Sequence, residues 1–490
     1  MDWGFCGPAY TAANPDQDAQ ELINWYLEKA QSEHAAEKFA LLGVPGRMQV
    51  AALTAAEVRG AWVLTGGTQC LWVAGKGVWL MTINAAATST TPATFTVKQV
   101  GSIASSSGQV SIRDNATGGV AVIVDGTAAG YVYKISTQVL STISDPAFYG
   151  ADKVAFIDGW LVFNKPGTQT FYTSPLYWDG VKAFDATYFA LKDSSSDNLV
   201  TLIESLRELW LVGERTTEIW YDAGNQFFPF SRLEGVTLQI GCCAKHSITR
   251  FGEGLAWLAG SERGQNLVMM TQGYQAKPIS NEAVTNAINS YPVVSDAIGY
   301  SYSEAGHTFY VLTFPTADVT WVYDATSGEW HKRAAFDAAA GLFHREGANC
   351  YVNFANQRLV GDKSNGSVCA LSRTAYTDNG APLVALRRTA HVWDGDERER
   401  LFHNRLQIKV RAGLGPLTGQ GSNPQFMVRW SNDSGQTWSN QQLVAIGQTG
   451  DTRHRAIARR LGSSRDRIYE VSISDPVCRD IVSASLQVSE

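Results

Sequence analysis

Short apolar runs, each centred on an aromatic residue or valine, recur along the first three quarters of this 490-residue chain. They are "TQCLWVAG" (Trp72), "GGVAVIVDG" (Val122), "IDGWLVFN" (Trp160), "RELWLVGE" (Trp210), "EGLAWLAG" (Trp257), "GHTFYVLT" (Tyr310) and "GANCYVNF" (Tyr351), spaced by 50, 38, 50, 47, 53 and 41 residues. Three of them are followed by a second aromatic strand, at Tyr172, Tyr221 and Tyr323, lying 12, 11 and 13 residues after the first aromatic. A strand, a tight turn and an antiparallel return strand fill that distance. A unit of this size exposes an apolar face on its own and buries it when copies pack around an axis. The pattern therefore predicts an all-β protein with a β-propeller of six or seven blades over residues 46–375. A pair of ordinary β-sandwiches would alternate as well, but the spacing favours the propeller.

The flanks differ. In "DAQELINWYLEKAQSEHAAEKFALLGVPG", Ala19, Leu22, Ile23, Tyr26, Leu27 and Ala30 fit a helical stripe that Asp16 or Asp18 would cap. "LINWYLE" and "KFALLGV" also fit the two strands of a hairpin; periodicity alone favours the helix. "PISNEAVTNAINSYPVVSDAIGY" (278–300) predicts a short helical insertion near 280–290, starting about Ser280. "RTAYTDNGAPL" (373–383) reads as a linker, and the strands after it alternate cleanly, predicting a C-terminal β-sandwich over 383–490.

Composition agrees with a chain of this class. Fifteen Trp, 18 Tyr and 20 Phe suit pleated, half-buried surfaces, and 45 Gly supply turns. Seven cysteines without CxxC spacing argue against a disulfide framework or a structural zinc site. The opening "MDWGFCGPAY" has no basic segment leading into an apolar run, and no apolar stretch approaches 18 residues. The expectation is a chain made in a reducing cytosol, without a secretion signal or membrane span. The net charge of −6 is uneven: residues 383–490 carry 15 Lys+Arg against 11 Asp+Glu, and residues 1–382 carry 25 against 35. A net-acidic body is a poor binder of nucleic acid.

Candidate chemistry is sparse. "SNDSGQTW" contains Ser431, Asp433, Gly435 and Trp438 in the arrangement known as an Asp box in sialidases. Hairpin geometry explains each part: Asp433 bonds backbone amides across the turn, Gly435 supplies positive φ, and Trp438 packs the returning strand. "SEAGHTF" repeats the register with Glu304 and Phe309. No Arg-x-Pro segment of the sialidase kind occurs, so the box is expected to be structural. Glu214 and Glu218 in "VGERTTEIW", and Asp394, Asp396, Glu397 and Glu399 in "WDGDERER", are the carboxylates that a glycosidase reading would use. The first pair more readily solvates a hairpin. The second alternates with Arg398 and Arg400 as a charge ladder. The eight histidines form no HxH or HExxH, so no metal and no cofactor is expected. "GLGPLTGQG" misplaces its third glycine for a dinucleotide loop. Arg453, Arg455, Arg459, Arg460, Arg465 and Arg467 in "RHRAIARRLGSSRDR" form the sharpest cationic cluster. No DNA-reading motif accompanies them, and arginine is enriched at protein contacts, so they are assigned to a protein interface ahead of DNA.

Four segments carry a family resemblance: "GPAYTAANPDQDAQELINWYLE…LLGVPG", "ADKVAFIDGWLVFNKPGTQTFYTSPL", "RELWLVGERTTEIWYDAGNQFFPFSRLEGVTLQIGCCAKHSI" and "RWSNDSGQTWSN". With them the chain resembles the tail hub or nozzle proteins of short-tailed bacteriophages, also called packaged-DNA stabilisation proteins. The resemblance implies that "INWYLE" is a strand with a returning partner, so residues 1–45 become a hairpin or extended arm. It also implies a structural, non-enzymatic virion protein that is assembled in the host cytoplasm into a ring, typically a hexamer, at the distal end of the tail. The implied partners are the adaptor (head-completion) protein below the portal, a tail needle or plug, tailspikes or fibres, and double-stranded DNA passing through the channel without sequence-specific binding. The runner-up from the residues alone is a carbohydrate-binding or glycoside-cleaving propeller acting on host-surface polysaccharide.

Overall fold

The computed structural model describes residues 3–88, 91–117, 119–260, 264–395 and 399–489. Strands dominate it, and most belong to seven four-stranded antiparallel blades at residues 58–102, 111–142, 154–191, 199–238, 249–278, 298–337 and 348–372. The arm before them supplies four further strands: β1 (Glu21–Ile23), β2 (Trp25–Lys29), β3 (Phe39–Gly43) and β4 (Gly46–Ala52). The last blade has only three strands of its own, and β4 completes it by pairing antiparallel with Ser367–Ser372. The ring is therefore closed by hydrogen bonds between the chain's early and late parts.

The apolar runs are explained by burial on both faces. In the fourth blade Leu209 and Leu211 enter the core shared with the third, whereas Trp210 and Val212 enter the core shared with the fifth. In the first blade Leu71 and Val73 face the second, and Cys70, Trp72 and Ala74 face the seventh. Seven such cores separate the seven blades. Because a blade's middle strand has no solvent face, it reads as a continuous apolar run. Each large side chain buried this way contributes about 2–3 kcal/mol relative to exposure.

The sandwich consists of two sheets. One runs β1, Ala385–Arg388, Asp466–Ile473, Gln425–Ser431 and Gln442–Ala445; the other runs β2, β3, Ile481–Ser489, Leu401–Val410 and Ala456–Arg459. The N-terminal segment forms no helix. Asn24 takes a left-handed conformation at φ 56, which breaks the strand between β1 and β2 and resets the faces. Trp25 and Leu27 then fill the sandwich core, and Tyr26 between them fills the core shared by blades six and seven. Alternate residues of one strand thus serve two domains, and the resulting unbroken apolar run mimics a helical stripe. Strand β1 joins the domains directly. It pairs parallel with the outer strand of blade six (Ile23 with Lys332) and antiparallel with Ala385–Arg388 of the sandwich, giving one continuous sheet across both.

Between blades five and six lies helix α1 (Glu282–Asn289). Asn281 caps it by accepting the Val284 N–H at 2.9 Å, and Val284 and Ile288 bury against the two blades. After blade seven, the short strand Thr377–Asp378 runs parallel to β4 before the chain enters the sandwich.

Candidate functional site

The Asp box forms a closed hydrogen-bond cage. The Ser431 hydroxyl donates to Asp433 Oδ1 at 2.6 Å and accepts the N–H groups of Asp433 and Gly435 at 3.2 and 2.9 Å. Asp433 also accepts the Thr437 N–H at 2.8 Å and the Thr437 hydroxyl at 2.5 Å. The bonds from Ser431 and then Thr437 hold the Asp433 carboxyl down at about 2. Gly435 stands at φ 95, a conformation open to glycine at no steric cost. Every polar group that defines the motif is used within the turn. "SEAGHTF" likewise forms a hairpin turn, with Ala305 and Gly306 at positive φ.

Trp438 leads away from the turn into a chain of charges. Its ring lies 4.7 Å from the Arg429 guanidinium and 5.2 Å from that of Arg388. Both arginines bond buried Glu470: Arg429 through Nε at 2.6 Å, and Arg388 through Nη2 at 2.9 Å. Arg388 continues to Glu21 at 3.3 Å, and Glu21 to Lys332 at 2.8 Å. Burial acts to raise the Glu21 pKa, but Lys332 and Arg388 outweigh it and hold the carboxyl below its ordinary value. Four of these residues are cross-strand neighbours in register, Glu21 with Arg388, Arg388 with Glu470, and Arg429 with Glu470. The box is therefore one end of a ladder that crosses the domain joint to blade six.

The carboxylates Glu214 and Glu218 have different surroundings. Glu218 is fully buried, with one oxygen accepting the Ser194 N–H at 2.8 Å and the other the Trp220 indole at 2.9 Å. Both oxygens are engaged by the fold, while Glu214 is exposed and accepts from Asn198 at 3.3 Å. In "WDGDERER", Asp396, Glu397 and Arg398 lie outside the described residues; Asp394 accepts the Glu399 N–H at 2.8 Å. No group of His, Cys, Asp and Glu arranged to hold a metal ion occurs among the described residues. None of the seven cysteines is joined in a disulfide.

The arginine cluster divides. Arg453, Arg455, Arg459, Arg460 and Arg465 are exposed, around the edge strand Ala456–Arg459. Arg467 does not belong with them. It is 2% exposed, and its Nε donates to Asn432 Oδ1 at 2.8 Å while its other nitrogens bond the carbonyls of Leu461 and Ser463. Its guanidinium faces Trp430 at 5.2 Å. Strand alternation turns it inward, so it braces the Asp-box turn from below and cannot meet a partner.

The domain joint was hidden in the sequence. Asn24 donates to the carbonyls of Ala334 and Val384 at 2.8 and 2.7 Å. Buried Arg387 ties down the N-terminal segment through Phe5 O at 2.9 Å, Gly4 O at 3.1 Å and Gln20 Oε1 at 2.7 Å. Burial pulls its pKa down to about 10. His307 of blade six bonds Asp324 at 2.7 Å and Glu28 of β2 at 2.5 Å. The one available signal was an Asn placed between two apolar strands, a common left-handed breaker.

These features define a two-domain protein, a seven-bladed propeller joined through a continuous sheet to a β-sandwich, in which motif and charged residues hold the fold together. Two family models match that pairing. The one described as "Bacteriophage P22 Gp10, beta-propeller" covers residues 50–376, and "Bacteriophage P22 Gp10, beta-sandwich" covers 387–489. The chain belongs to the bacteriophage P22 Gp10 family, phage tail accessory and DNA-stabilisation proteins, and is a phage tail structural protein. No individual curated protein is significantly similar to it.

Proposed function

We propose that this chain is the subunit of the distal tail hub, or nozzle. It assembles in the host cytoplasm into a ring, most simply a hexamer, that continues the DNA channel below the portal and adaptor. The ring retains packaged DNA until ejection, receives a tail needle or plug, and supports neighbouring tailspikes. It acts without catalysis and without a cofactor. Family membership across both domains is the observation that carries this reading. The continuous sheet supports it, since a part that transmits load between tail components needs domains that do not hinge. The acidic body supports it as well: a wall of net negative charge repels DNA and lets it slide. The exposed arginines around Ala456–Arg459 are the surface we assign to an acidic neighbour in the tail. Ring closure requires two different surfaces of the subunit to meet.

Mass measurement on tails released from virions tests the proposal. We expect the chain as a closed ring of identical copies bound to the adaptor. A chain that stays monomeric and copurifies with no tail component would overturn it. The engagement of both Glu218 oxygens favours the hub reading over the glycoside-cleaving alternative.

A further inference from the structure

The axis of the propeller is a channel of about 380 Å³ to which all seven innermost strands contribute. Its charged lining is one-sided. Arg113, on the inner strand of blade two, lies 4.0 Å over the Trp62 ring of blade one and donates from Nη1 to the Ile112 carbonyl at 2.7 Å. Lys153, at the start of blade three, is surrounded by protein yet keeps some solvent contact, and its ammonium makes no hydrogen bond or ion pair among the described residues. Among the described residues no carboxylate lines the channel, and those nearby are engaged elsewhere. Asp152 pairs with Lys245 and accepts from Asn164 at 3.3 Å. Asp114 accepts from the Trp62 indole at 3.2 Å and the Thr65 N–H at 2.5 Å, and Glu204 pairs with Arg250.

We propose that this channel is a binding site for a small divalent oxyanion of the sulfate or phosphate class, held between Arg113 and Lys153. The site is independent of the tail-hub reading. Stacking on Trp62 fixes the plane of the guanidinium fork, whose remaining N–H groups match tetrahedral oxygens, and the ammonium supplies a compact second charge. A dianion neutralises both cations, whose neighbouring carboxylates Asp152 and Asp114 are hydrogen-bonded to other partners. The volume is in the range of small-ligand pockets. The charged surroundings agree: burial, with Arg113 adding to it, pulls the Lys153 pKa down to about 8, and burial pulls that of Arg113 down to about 10. Burial, helped by Lys153 and Lys245, keeps His246 neutral well below its ordinary value, and burial raises the Cys242 thiol to about 11. Among these groups only Lys153 changes charge between pH 7 and 9. An anion favours the charged lysine, so binding is full below about pH 8 and declines above it.

Calorimetric titration of the intact chain with sulfate, against chloride at matched ionic strength, tests this. Sulfate keeps its charge across the pH range. We expect saturable binding at pH 6.5 that weakens as pH rises through about 8. Arg113→Gln and Lys153→Met each weaken it about tenfold or more, Lys153→Arg retains it, and Lys153→Met removes the pH dependence. Absence of saturable sulfate binding by the wild-type chain, affinity in folded Arg113→Gln and Lys153→Met variants equal to wild type, or a wild-type affinity flat between pH 7 and 9 would each overturn it. The last measurement uses no variant and stands even if one fails to fold.

Discussion

Asn24 and Ala334 pair twice: the Asn24 amide donates to the Ala334 carbonyl at 2.8 Å and its Oδ1 accepts the Ala334 N–H at 3.0 Å. A side chain from the arm thus satisfies the backbone of blade six's outer strand as a neighbouring strand would. A second bond from the same amide holds Val384 at the entrance to the sandwich. The buried Asn24 is where the two domains are joined.

Asn24→Ala leaves three backbone groups unpaired in the joint and places alanine at positive φ. We expect a loss of about 3 kcal/mol. Asn24→Gly, which tolerates φ 56, should be about 1 kcal/mol milder. The location of the bond makes the form of unfolding the sharper readout. Urea unfolding followed by tryptophan fluorescence should broaden or split into two transitions as the domains uncouple; a single transition shifted without broadening would place the joint's strength elsewhere.

His307 links blade six to β2 through Asp324 and Glu28. Burial opposes its protonation, but the two carboxylates prevail and raise its pKa above the ordinary value. A histidine whose folded pKa is raised contributes stability that is fully present below its unfolded value of about 6.5 and is lost as pH rises through the folded value. We therefore expect the thermal midpoint to fall between pH 6 and 9, and His307→Gln to flatten that fall. His391, whose Nδ1 bonds Asp466 at 2.7 Å and whose Nε2 bonds the Pro15 carbonyl at 3.0 Å, also has a raised pKa. The double variant should be flatter still.

How much of this was legible depended on the faces of each strand. Trp72, Trp210 and Trp257 marked their blades because middle strands lie between two cores, leaving an apolar run at every repeat. The repeats alone leave six or seven blades open because the seventh borrows β4, some three hundred residues from its partner in sequence. The arm suggested a helix because Trp25, Tyr26 and Leu27 are all buried, though into different domains. Arg387, Arg467 and Arg479 are buried and read in sequence like their exposed neighbours, since most of their partners are backbone carbonyls that no side-chain pattern encodes.

Asp433 is held in its ionised form by Ser431 and Thr437, and its pKa lies at about 2. A carboxylate with a depressed folded pKa contributes stability that is present above its unfolded value of about 3.9 and lost as pH falls through the folded value. Asp433→Ala should therefore speed hydrogen exchange of the Thr437 amide at pH 5–7. The wild type should lose its protection relative to the variant only between about pH 4 and 2. Because the turn feeds Trp438 into the Arg429–Glu470 ladder, the variant should also lower the thermal midpoint of the coupled domains.

The arginines near the C-terminus provide the clearest separation of stability from assembly. Arg467→Ala removes a buried guanidinium that bonds Asn432, Leu461 and Ser463 and faces Trp430. Two buried carbonyls and an amide oxygen lose their donor and a cavity remains, so we expect a loss of about 3–5 kcal/mol. Arg455→Glu and Arg459→Glu change exposed side chains and should leave the unfolding midpoint within about 0.5 kcal/mol of wild type. If the exposed arginines meet an acidic tail component, the two reversals together abolish incorporation into tails while the purified chain stays folded. Incorporation at wild-type levels would assign that contact to another surface, and a folded Arg467→Ala chain of wild-type stability would contradict its place in the core.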